Sequence, residues 1–258
     1  MRDALLAQNR TILYSLCDQG SANVTSWANA TGSSWRTKND IRCKNSPQLS
    51  PLFISFSQLT PHKANWNYIT FILNINSFLM NAVDFWGHND LDMLEVGVPG
   101  LSTAEERSHF AFWAAAKSPL IIGADLSAVK QSAIDIMLNK YLLTFNQDPV
   151  YGAPAKPYKW GVNLDWTWNM TYPAEYWSGA SSNGTLVLML NSLSASGRKM
   201  TADFSEIPGL SPCQNYTVID IWNGKNLGTF KGFYNATVAS HDTAALLIQR
   251  QNEITAIC

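Results

Sequence analysis

The sequence predicts an α/β unit, residues 1–148, followed by an all-β domain, residues 149–258. In the first part, short apolar runs that suit buried strands alternate with segments of helical periodicity, and four such units in succession indicate a parallel sheet. In the second part, turn signals such as Asn223-Gly224 separate β-rich runs, which is typical of an antiparallel β-sandwich. A closed (β/α)8 barrel needs about 200–250 residues, so the first part can supply only half of one. If the fold is a barrel, we expect its other half to lie upstream of Met1.

The first part, called the barrel part below, is divided by its apolar runs and capping signals. Strands are predicted at 11–17, 35–36, 80–85 and 120–123. Two helices are predicted at 23–30 and 66–78. A third is predicted to begin at the capping pattern Ser102-Thr103-Ala104-Glu105-Glu106 and to end before Pro119, and a fourth to begin at Ser127. Trp113 falls on the apolar face of its helix, so we expect it in the core.

The second part, called the sandwich part below, begins with a linker rich in Pro and Gly. The predicted strands are 176–177, 185–190, 216–222, 229–233 and 243–248. The run from Leu186 to Leu190 is apolar at every position. It is therefore predicted to be a central strand that is covered on both faces.

Composition excludes several classes of function. The chain of 258 residues has a formal net charge of −1 and 14% charged residues, without the basic stripe of a nucleic-acid binder or the polybasic segment of a lipid binder. No apolar run approaches the roughly 18 residues of a membrane span. The four Cys and four His lack metal-ligand spacing, so we expect no metal, and disulfide pairing stays unassigned. Ten Trp are a large number for any fold, and such richness is common where sugars are bound.

Glycosylation patterns indicate a secreted protein. The sequence holds seven Asn-x-Thr acceptor patterns, which begin at Asn9, Asn23, Asn29, Asn169, Asn183, Asn215 and Asn235. Met1 is followed directly by Arg2-Asp3-Ala4-Leu5-Leu6, which does not resemble a secretory signal. We therefore expect a secreted glycoprotein whose true N-terminus and signal peptide are not in this sequence.

The stretch Ser33 to Ile41 gathers the residue types that handle sugars. Trp35 can stack on the apolar face of a sugar ring, Arg36 can bind hydroxyls, and Asp40 can transfer a proton. The alternative is a polar loop in which Arg36 and Asp40 form a surface ion pair.

Four motifs in this order resemble glycoside hydrolase family 27, and most of all its secreted fungal α-galactosidases. They are Leu16-Cys17-Asp18, Ser34-Trp35-Arg36 with Asp40-Ile41, Asn89-Asp90-Leu91-Asp92-Met93-Leu94, and the run from Phe112 to Gly123. The resemblance implies a (β/α)8 barrel followed by a β-sandwich, of which this chain supplies strands five to eight and the sandwich. It also implies hydrolysis of terminal α-linked galactose from oligosaccharides or polysaccharides, with retention of configuration and without a cofactor.

The same resemblance implies a role for each site residue. Asp40 matches the acid/base, Arg36 a residue that binds the sugar, Asp18 the acidic residue that contacts the 2-hydroxyl, and Asp92 a residue of the active-site wall; Trp35 belongs to the same substrate-binding set. The nucleophile of the family occurs in a motif of the type Tyr-Leu-Lys-Tyr-Asp-Asn-Cys, and nothing in this sequence matches it. The isolated chain is therefore predicted to be inactive.

Several alternatives accompany these assignments. Asp18 could cap the turn that follows it. Asp90 is interpreted as structural, because only one member of the Asp90/Asp92 pair can point at a sugar from a single strand end. His88 is interpreted as a wall residue of the site. At the level of function, the rivals are an α-N-acetylgalactosaminidase of the same family and a non-catalytic carbohydrate-binding fragment, and the oligomeric state stays open.

Three features depart from the family pattern. Gln19 replaces a Trp, Leu91 replaces a Pro, and residues 43–63 form an insert without hydrophobic period. Long structureless loops inside a compact domain count against a structural assignment. We interpret the insert either as a translated intron or as a genuine loop beside the substrate cleft.

Overall fold

The computed structural model of the chain describes residues 1–41, 63–195 and 197–251. The helices of this described part are α1 (Arg2–Leu6), α2 (Trp66–Ser77), α3 (Thr103–Ala115), α4 (Gln131–Met137) and α5 (Lys140–Asn146). Its strands are β1 (Ser15–Leu16), β2 (Ser34–Arg36), β3 (His88–Asp90), β4 (Lys156–Lys159), β5 (Tyr176–Ser181), β6 (Gly184–Leu190), β7 (Arg198–Asp203), β8 (Asn215–Asp220), β9 (Lys225–Lys231), β10 (Phe233–Val238) and β11 (Thr243–Arg250). Apart from Lys63, the predicted insert lies outside the described residues.

The barrel part is built on a parallel sheet. β1, β2 and β3 lie side by side in that order, with Leu16 opposite Trp35 and Arg36 opposite Asp90. Leu94 and Ile122 form one more parallel bridge, in which the Gly123 N–H donates to the Leu94 carbonyl at 2.9 Å. Sequential parallel strands joined by helices are the arrangement that the sequence predicts, so the expected partial barrel is confirmed.

Two predicted elements of the barrel part are wrong in position or type. The stretch 80–85 is a short 3-10 turn, Met80–Ala82, and the strand begins only at His88. The Asp84 carboxylate accepts the N–H groups of Trp86 and Gly87 at 2.7 and 2.8 Å, so a turn takes the donors that a strand needs. The helix predicted at 23–30 is a pair of 3-10 segments, with Asn23 held at φ 51°.

Helix α3 connects the two parts of the molecule. Its predicted capping box is present, since Ser102 and Glu105 exchange side-chain and backbone hydrogen bonds. On this helix, Arg107 forms an ion pair with Asp242 of the sandwich part, and the buried Ser108 Oγ donates to the His241 carbonyl at 2.6 Å. These contacts place the turn before β11 directly on α3.

The sandwich part consists of a six-stranded antiparallel sheet and a two-stranded sheet. The strand order is β4-β5-β6-β11-β8-β9 in the large sheet, while β7 pairs with β10 in the small one. Strand β6 is central, as predicted. Leu186, Leu188 and Leu190 join the core shared with α3, whereas Val187 and Met189 face the core between the two sheets. Because alternate side chains enter different cores, every position of the strand must be apolar.

Other strands and helices were only partly foreseen. Strands β4 and β7 gave no clear sequence signal. The run 229–233 belongs to two strands, which meet at Gly232 with φ 80°. The helix predicted from Ser127 is divided at Asn139, whose Oδ1 accepts from Tyr141 and Leu142 and so caps a new helix, α5. The division at 148/149 stays a prediction.

The described helices give no support for a membrane-embedded segment, since none combines the length and apolar character that a bilayer crossing requires. Cys213 is part of a disulfide bond. The sequence did not foresee which cysteines would pair.

Buried His109 on α3 predicts an acid-sensitive fold. Its Nε2 accepts the Glu95 N–H at 2.8 Å, and burial lowers its pKa to about 3. The unfolded chain, with a His pKa of about 6.5, binds a proton that the folded protein excludes. As the pH falls from about 6.5 to 3, this group therefore lowers the free energy of unfolding by about 1.4 kcal/mol for each pH unit.

We expect His109→Gln, which keeps an acceptor for Glu95, to lose less stability than the parent between pH 6.5 and 4.5. Urea unfolding at several pH values measures this difference, and the carboxylates that titrate in the same range contribute equally to both proteins. Parallel acid dependence in the two proteins would contradict the assignment.

Candidate active site

Three aspartates gather at one edge of the parallel sheet. Asp18 follows β1, Asp40 follows β2, and Asp92 follows β3. The carboxyl ends of parallel strands lie at the same edge, which in barrels of this kind is the edge that carries the active site. The sheet topology thus brings together the acidic residues that the sequence motifs singled out.

Arg36 links two of these carboxylates. Its Nη2 lies 2.7 Å from Asp92 Oδ2 and 2.9 Å from Asp40 Oδ1. The side chains of Arg36 and Asp92 are only 11% and 9% exposed, whereas that of Asp40 is 62% exposed. Arg36 therefore has one buried and one solvent-facing partner. The ion pair between Arg36 and Asp40, which the sequence analysis gave as the alternative for this loop, is present as well.

Asp92 is fixed on every side. Its Oδ2 also accepts the Ile41 N–H at 2.7 Å, and its Oδ1 accepts the Met93 N–H at 2.8 Å. Trp113 Nε1 donates to its carbonyl at 2.8 Å. The backbone has φ 82°, an uncommon value for a residue other than glycine, and these contacts stabilise it. Because both carboxylate oxygens are occupied, Asp92 orients Arg36 and ties down the loop that carries Asp40.

Asp90 supports Asp92 from the strand below. Its Oδ1 accepts the Asp92 N–H at 2.9 Å. Burial raises the pKa of Asp90, while the Asp92 N–H and the Arg36 guanidinium oppose that shift. This position agrees with the structural role that the sequence suggested for Asp90.

Trp35 does not lie where the sequence reasoning placed it. Its ring is 0% exposed and belongs to the core under the β1–β2 pair, with Leu16, Val24 and Ala28. Its Nε1 donates to Asn89 Oδ1 at 2.7 Å. No face of the ring is open to a sugar, so its expected stacking role is corrected to one of support. The motif contains the residue types of a sugar site, but the strand alternation turns Trp35 away from Arg36.

Asp18 occupies an exposed turn after β1. Gly20, two residues later, has φ 76°, and a Cβ at that position would lie 2.0 Å from the Thr37 carbonyl oxygen. Only glycine permits this close approach of the two loops that follow β1 and β2. Gly20 is thus a positioning residue that the sequence analysis missed, although a glycine beside a strand end was a visible signal. Trp113 is buried in the core, as predicted, but its bond to the Asp92 carbonyl was not foreseen.

His88 is also corrected. It begins β3, at the opposite end of the strand from Asp90. There it lines a pocket of about 440 Å³ with Lys117 and Asp148, and burial lowers its pKa. It does not form part of the wall of the site. Among the described residues, no group of three or more His, Cys, Asp or Glu side chains is arranged to hold a metal ion.

The two partners of Arg36 predict different stability losses. Asp92→Asn would leave a largely buried guanidinium without its buried counter-charge, which typically costs about 3–5 kcal/mol. The exposed pair with Asp40 is worth at most about 1 kcal/mol, so Asp40→Asn serves as the control. Thermal unfolding should show a much larger fall in Tm for Asp92→Asn, and equal falls would contradict the geometry.

Comparison with known proteins identifies the family. Residues 1–148 match the family model described as alpha galactosidase A, and residues 171–248 match the alpha galactosidase C-terminal beta sandwich domain. The chain is 51% identical to a probable alpha-galactosidase B of Penicillium simplicissimum over 251 residues, which cover 96% of this chain and 53% of that protein. It is also 51% identical to the probable alpha-galactosidase B of Aspergillus fumigatus over 260 residues, 97% of this chain and 56% of the relative. The chain thus spans about half the length of these curated relatives.

Solved structures agree with this result. Alpha-galactosidase I from Mortierella vinacea superposes with a TM-score of 0.77 at 28% identity, over 97% of this chain and 62% of that one. The alpha-galactosidase of Saccharomyces cerevisiae gives a TM-score of 0.75 at 25% identity, over 97% and 67%. The half barrel, the sandwich and the ordered aspartates have the same explanation: the chain belongs to the fungal-type α-galactosidases of glycoside hydrolase family 27.

Proposed function

We propose that this chain carries the acid/base side of a retaining α-galactosidase site, and that the parent protein releases terminal α-linked galactose. The observation that carries the proposal is the arrangement Asp92–Arg36–Asp40 at the carboxyl edge of the sheet, in a chain of this family. The substrates would be α-galactoside oligosaccharides or polysaccharides, and the protein would act outside the cell.

Solvent exposure distinguishes the two carboxylates. A general acid must reach the glycosidic oxygen, and Asp40, 62% exposed and bonded mainly to Arg36, is free to do so. In the first step Asp40 would donate a proton to the leaving oxygen while a second carboxylate attacks the anomeric carbon. In the second step the ionised Asp40 would take a proton from water, which hydrolyses the covalent intermediate.

Other residues of this edge would recognise the sugar. Arg36 presents donors to hydroxyl groups, and Asp18 would accept from the 2-hydroxyl across the narrow gap that Gly20 permits. An acidic Asp18 disfavours the rival α-N-acetylgalactosaminidase, because a bulky acetamido group would have to fit where a carboxylate stands. Trp35 and Trp113 would not contact the sugar. They would support the site through their hydrogen bonds to Asn89 and Asp92, respectively.

In our proposal, this chain lacks the carboxylate that attacks the anomeric carbon. Retaining glycosidases place their two carboxyl groups about 5–5.5 Å apart, and Asp92 cannot serve because both of its oxygens accept internal hydrogen bonds. The nucleophile would come from the other half of a complete barrel. A carbohydrate-binding fragment without turnover is therefore the second candidate for the chain alone.

We expect the pure chain to show no turnover of nitrophenyl α-galactoside. A chimera that places the N-terminal portion of the Penicillium simplicissimum relative before residue 1 should restore turnover with release of α-galactose, detected by proton NMR. Proton transfer alone supplies only about 10²–10⁴-fold acceleration, so the half site is insufficient. Clear turnover by the chain alone, or a chimera that folds and stays inactive, would contradict the proposal.

In the same chimera, Asp40→Asn should abolish hydrolysis of substrates with poor leaving groups. Activated aryl galactosides, which leave without a proton, should still form the covalent intermediate and show a burst of released phenol. Asp135→Asn, which changes an exposed carboxylate on α4, is the matched control and should keep both activities. Equal losses on both substrate types, with no burst, would assign Asp40 another role.

A further inference from the structure

The loop between β4 and β5 exposes a row of apolar side chains. From residue 162 to residue 170 every second residue is apolar, and each of these side chains is between 40% and 82% exposed. They are Val162, Leu164, Trp166, Trp168 and Met170. An exposed row of this kind is unusual on a soluble domain and marks a surface that something covers. We call residues 160–172 the aromatic loop.

Internal hydrogen bonds hold the aromatic loop in this shape. Asp165 Oδ1 accepts the Trp160 N–H at 2.7 Å, and Asn163 Nδ2 donates to the Tyr172 carbonyl. Trp166 has φ 62°, which is strained for a bulky residue. Asp165 and Asn163 thus bond back to the backbone of the loop, and the Trp166 ring packs on Trp160 with centroids 4.6 Å apart, so the exposed row is a built feature rather than a loose segment.

A groove lies beside the end of the row. It has a volume of about 470 Å³ and runs between helix α2 and the aromatic loop. Tyr68 and Phe71 form its α2 side, and Met170 and Thr171 form the loop side. The remaining lining residues, Asn65, Asn67 and Thr70, are also uncharged. Aromatic faces with amides and hydroxyls at the rim, and no charge, suit a neutral sugar.

The sequence supplies a sugar acceptor at this place. Asn169-Met170-Thr171 is an acceptor pattern whose second and third residues line the groove. Asn169 Oδ1 accepts the N–H groups of Thr171 and Tyr172 at 2.9 and 3.1 Å, and its Nδ2 has no hydrogen-bond partner among the described residues. In contrast, Asn29 Nδ2, in another acceptor pattern, donates to Asp84 at 2.8 Å.

We propose that Asn169 is N-glycosylated and that the first sugars of its glycan cover the aromatic loop and the adjoining groove. In the transfer, Asn169 Nδ2 forms a bond with the anomeric carbon of a sugar carried on a polyprenyl diphosphate. The bond from that carbon to the diphosphate oxygen breaks, and Nδ2 loses one proton. The inference rests on the proposed secretion, but not on the proposed catalysis.

Packing would distinguish this acceptor from the exposed acceptor at Asn183. The apolar faces of the inner sugars would lie on Trp168 and Met170, while Asn65 and Asn67 would bond their hydroxyls. Asn183, at the tip of the β5–β6 hairpin, is an exposed acceptor that is not among the residues lining this groove. A glycan there would remain in solvent.

Peptide mapping tests the modification itself. The full chain, secreted from a fungal host by an added signal peptide, is treated with peptide N-glycosidase in heavy-oxygen water, which marks each formerly glycosylated Asn. We expect the mark at Asn169, its loss in Thr171→Ala and its retention in Thr171→Ser. An unmarked Asn169 overturns the proposal, whatever the state of Asn183. Because no activity is measured, this outcome is independent of the proposed galactosidase.

Thermal unfolding tests the packing. Complete enzymatic removal of the glycans from folded protein should lower Tm by about 2–4 °C, a typical shift for loss of one moderate interaction in a domain of this size. Trimming to the innermost sugar should preserve most of the Tm. Asn169→Gln should reproduce the loss and raise the fluorescence of an apolar-surface dye, whereas Asn183→Gln should change neither.

A double variant isolates the contact. In Trp168→Ala, which alters a half-exposed side chain, removal of the Asn169 glycan should change Tm much less than in the parent. The covering role is overturned if removal of a glycan from Asn169 leaves Tm and dye binding unchanged. It is also overturned if removal changes Tm equally in the parent and in Trp168→Ala. A different outcome would assign the groove to a soluble ligand instead. In that case the parent carries no glycan at Asn169, and free oligosaccharide lowers dye binding by the Asn169→Gln variant.

Discussion

The ion pair between Arg36 and Asp92 is the interaction on which the site depends. Both side chains are largely buried, so neither charge can be removed without leaving the other in a poorly solvated position. The same Asp92 oxygen accepts from Ile41, which fixes the end of the loop that carries Asp40. Position, charge and loop closure therefore rest on one carboxylate, and the strained backbone of Asp92 is the local cost.

The support of Asp92 extends to the sandwich part. Trp113 of α3 holds the Asp92 carbonyl, and α3 in turn packs against β6 and β11 through the shared core. Arg107 and Ser108 on the same helix contact the turn before β11. A change in the packing of the sandwich part can thus reach Asp40 through α3 and Asp92. This is a physical reason for the two parts to occur together rather than as independent modules.

Sequence reasoning succeeded where a local pattern decides the outcome. The capping box at Ser102, the helix at 66–78 and the doubly covered strand Leu186–Leu190 each follow from spacing or composition within about a dozen residues. It failed where distant contacts decide. The side of β2 to which Trp35 points depends on strand register, and a shift of one residue reverses it. The roles of Gly20 and Trp113 depend on loops and helices more than a dozen residues away. Strand β3 begins later than predicted because the Asp84 side chain competes for backbone donors and forms a turn.

The unequal solvation of the two partners of Arg36 has a mechanistic meaning in the proposed reaction. An acid/base residue alternates between a neutral and an ionised state, so any guanidinium paired with it alone would lose its counter-charge in each cycle. Asp92 is buried and bonded through both oxygens, so Arg36 keeps a second partner while Asp40 gains or loses a proton. The cost of proton transfer then falls on the exposed residue, where water and substrate can offset it. A single arginine between one buried and one exposed carboxylate thus provides a stable frame for a carboxyl group that must change charge.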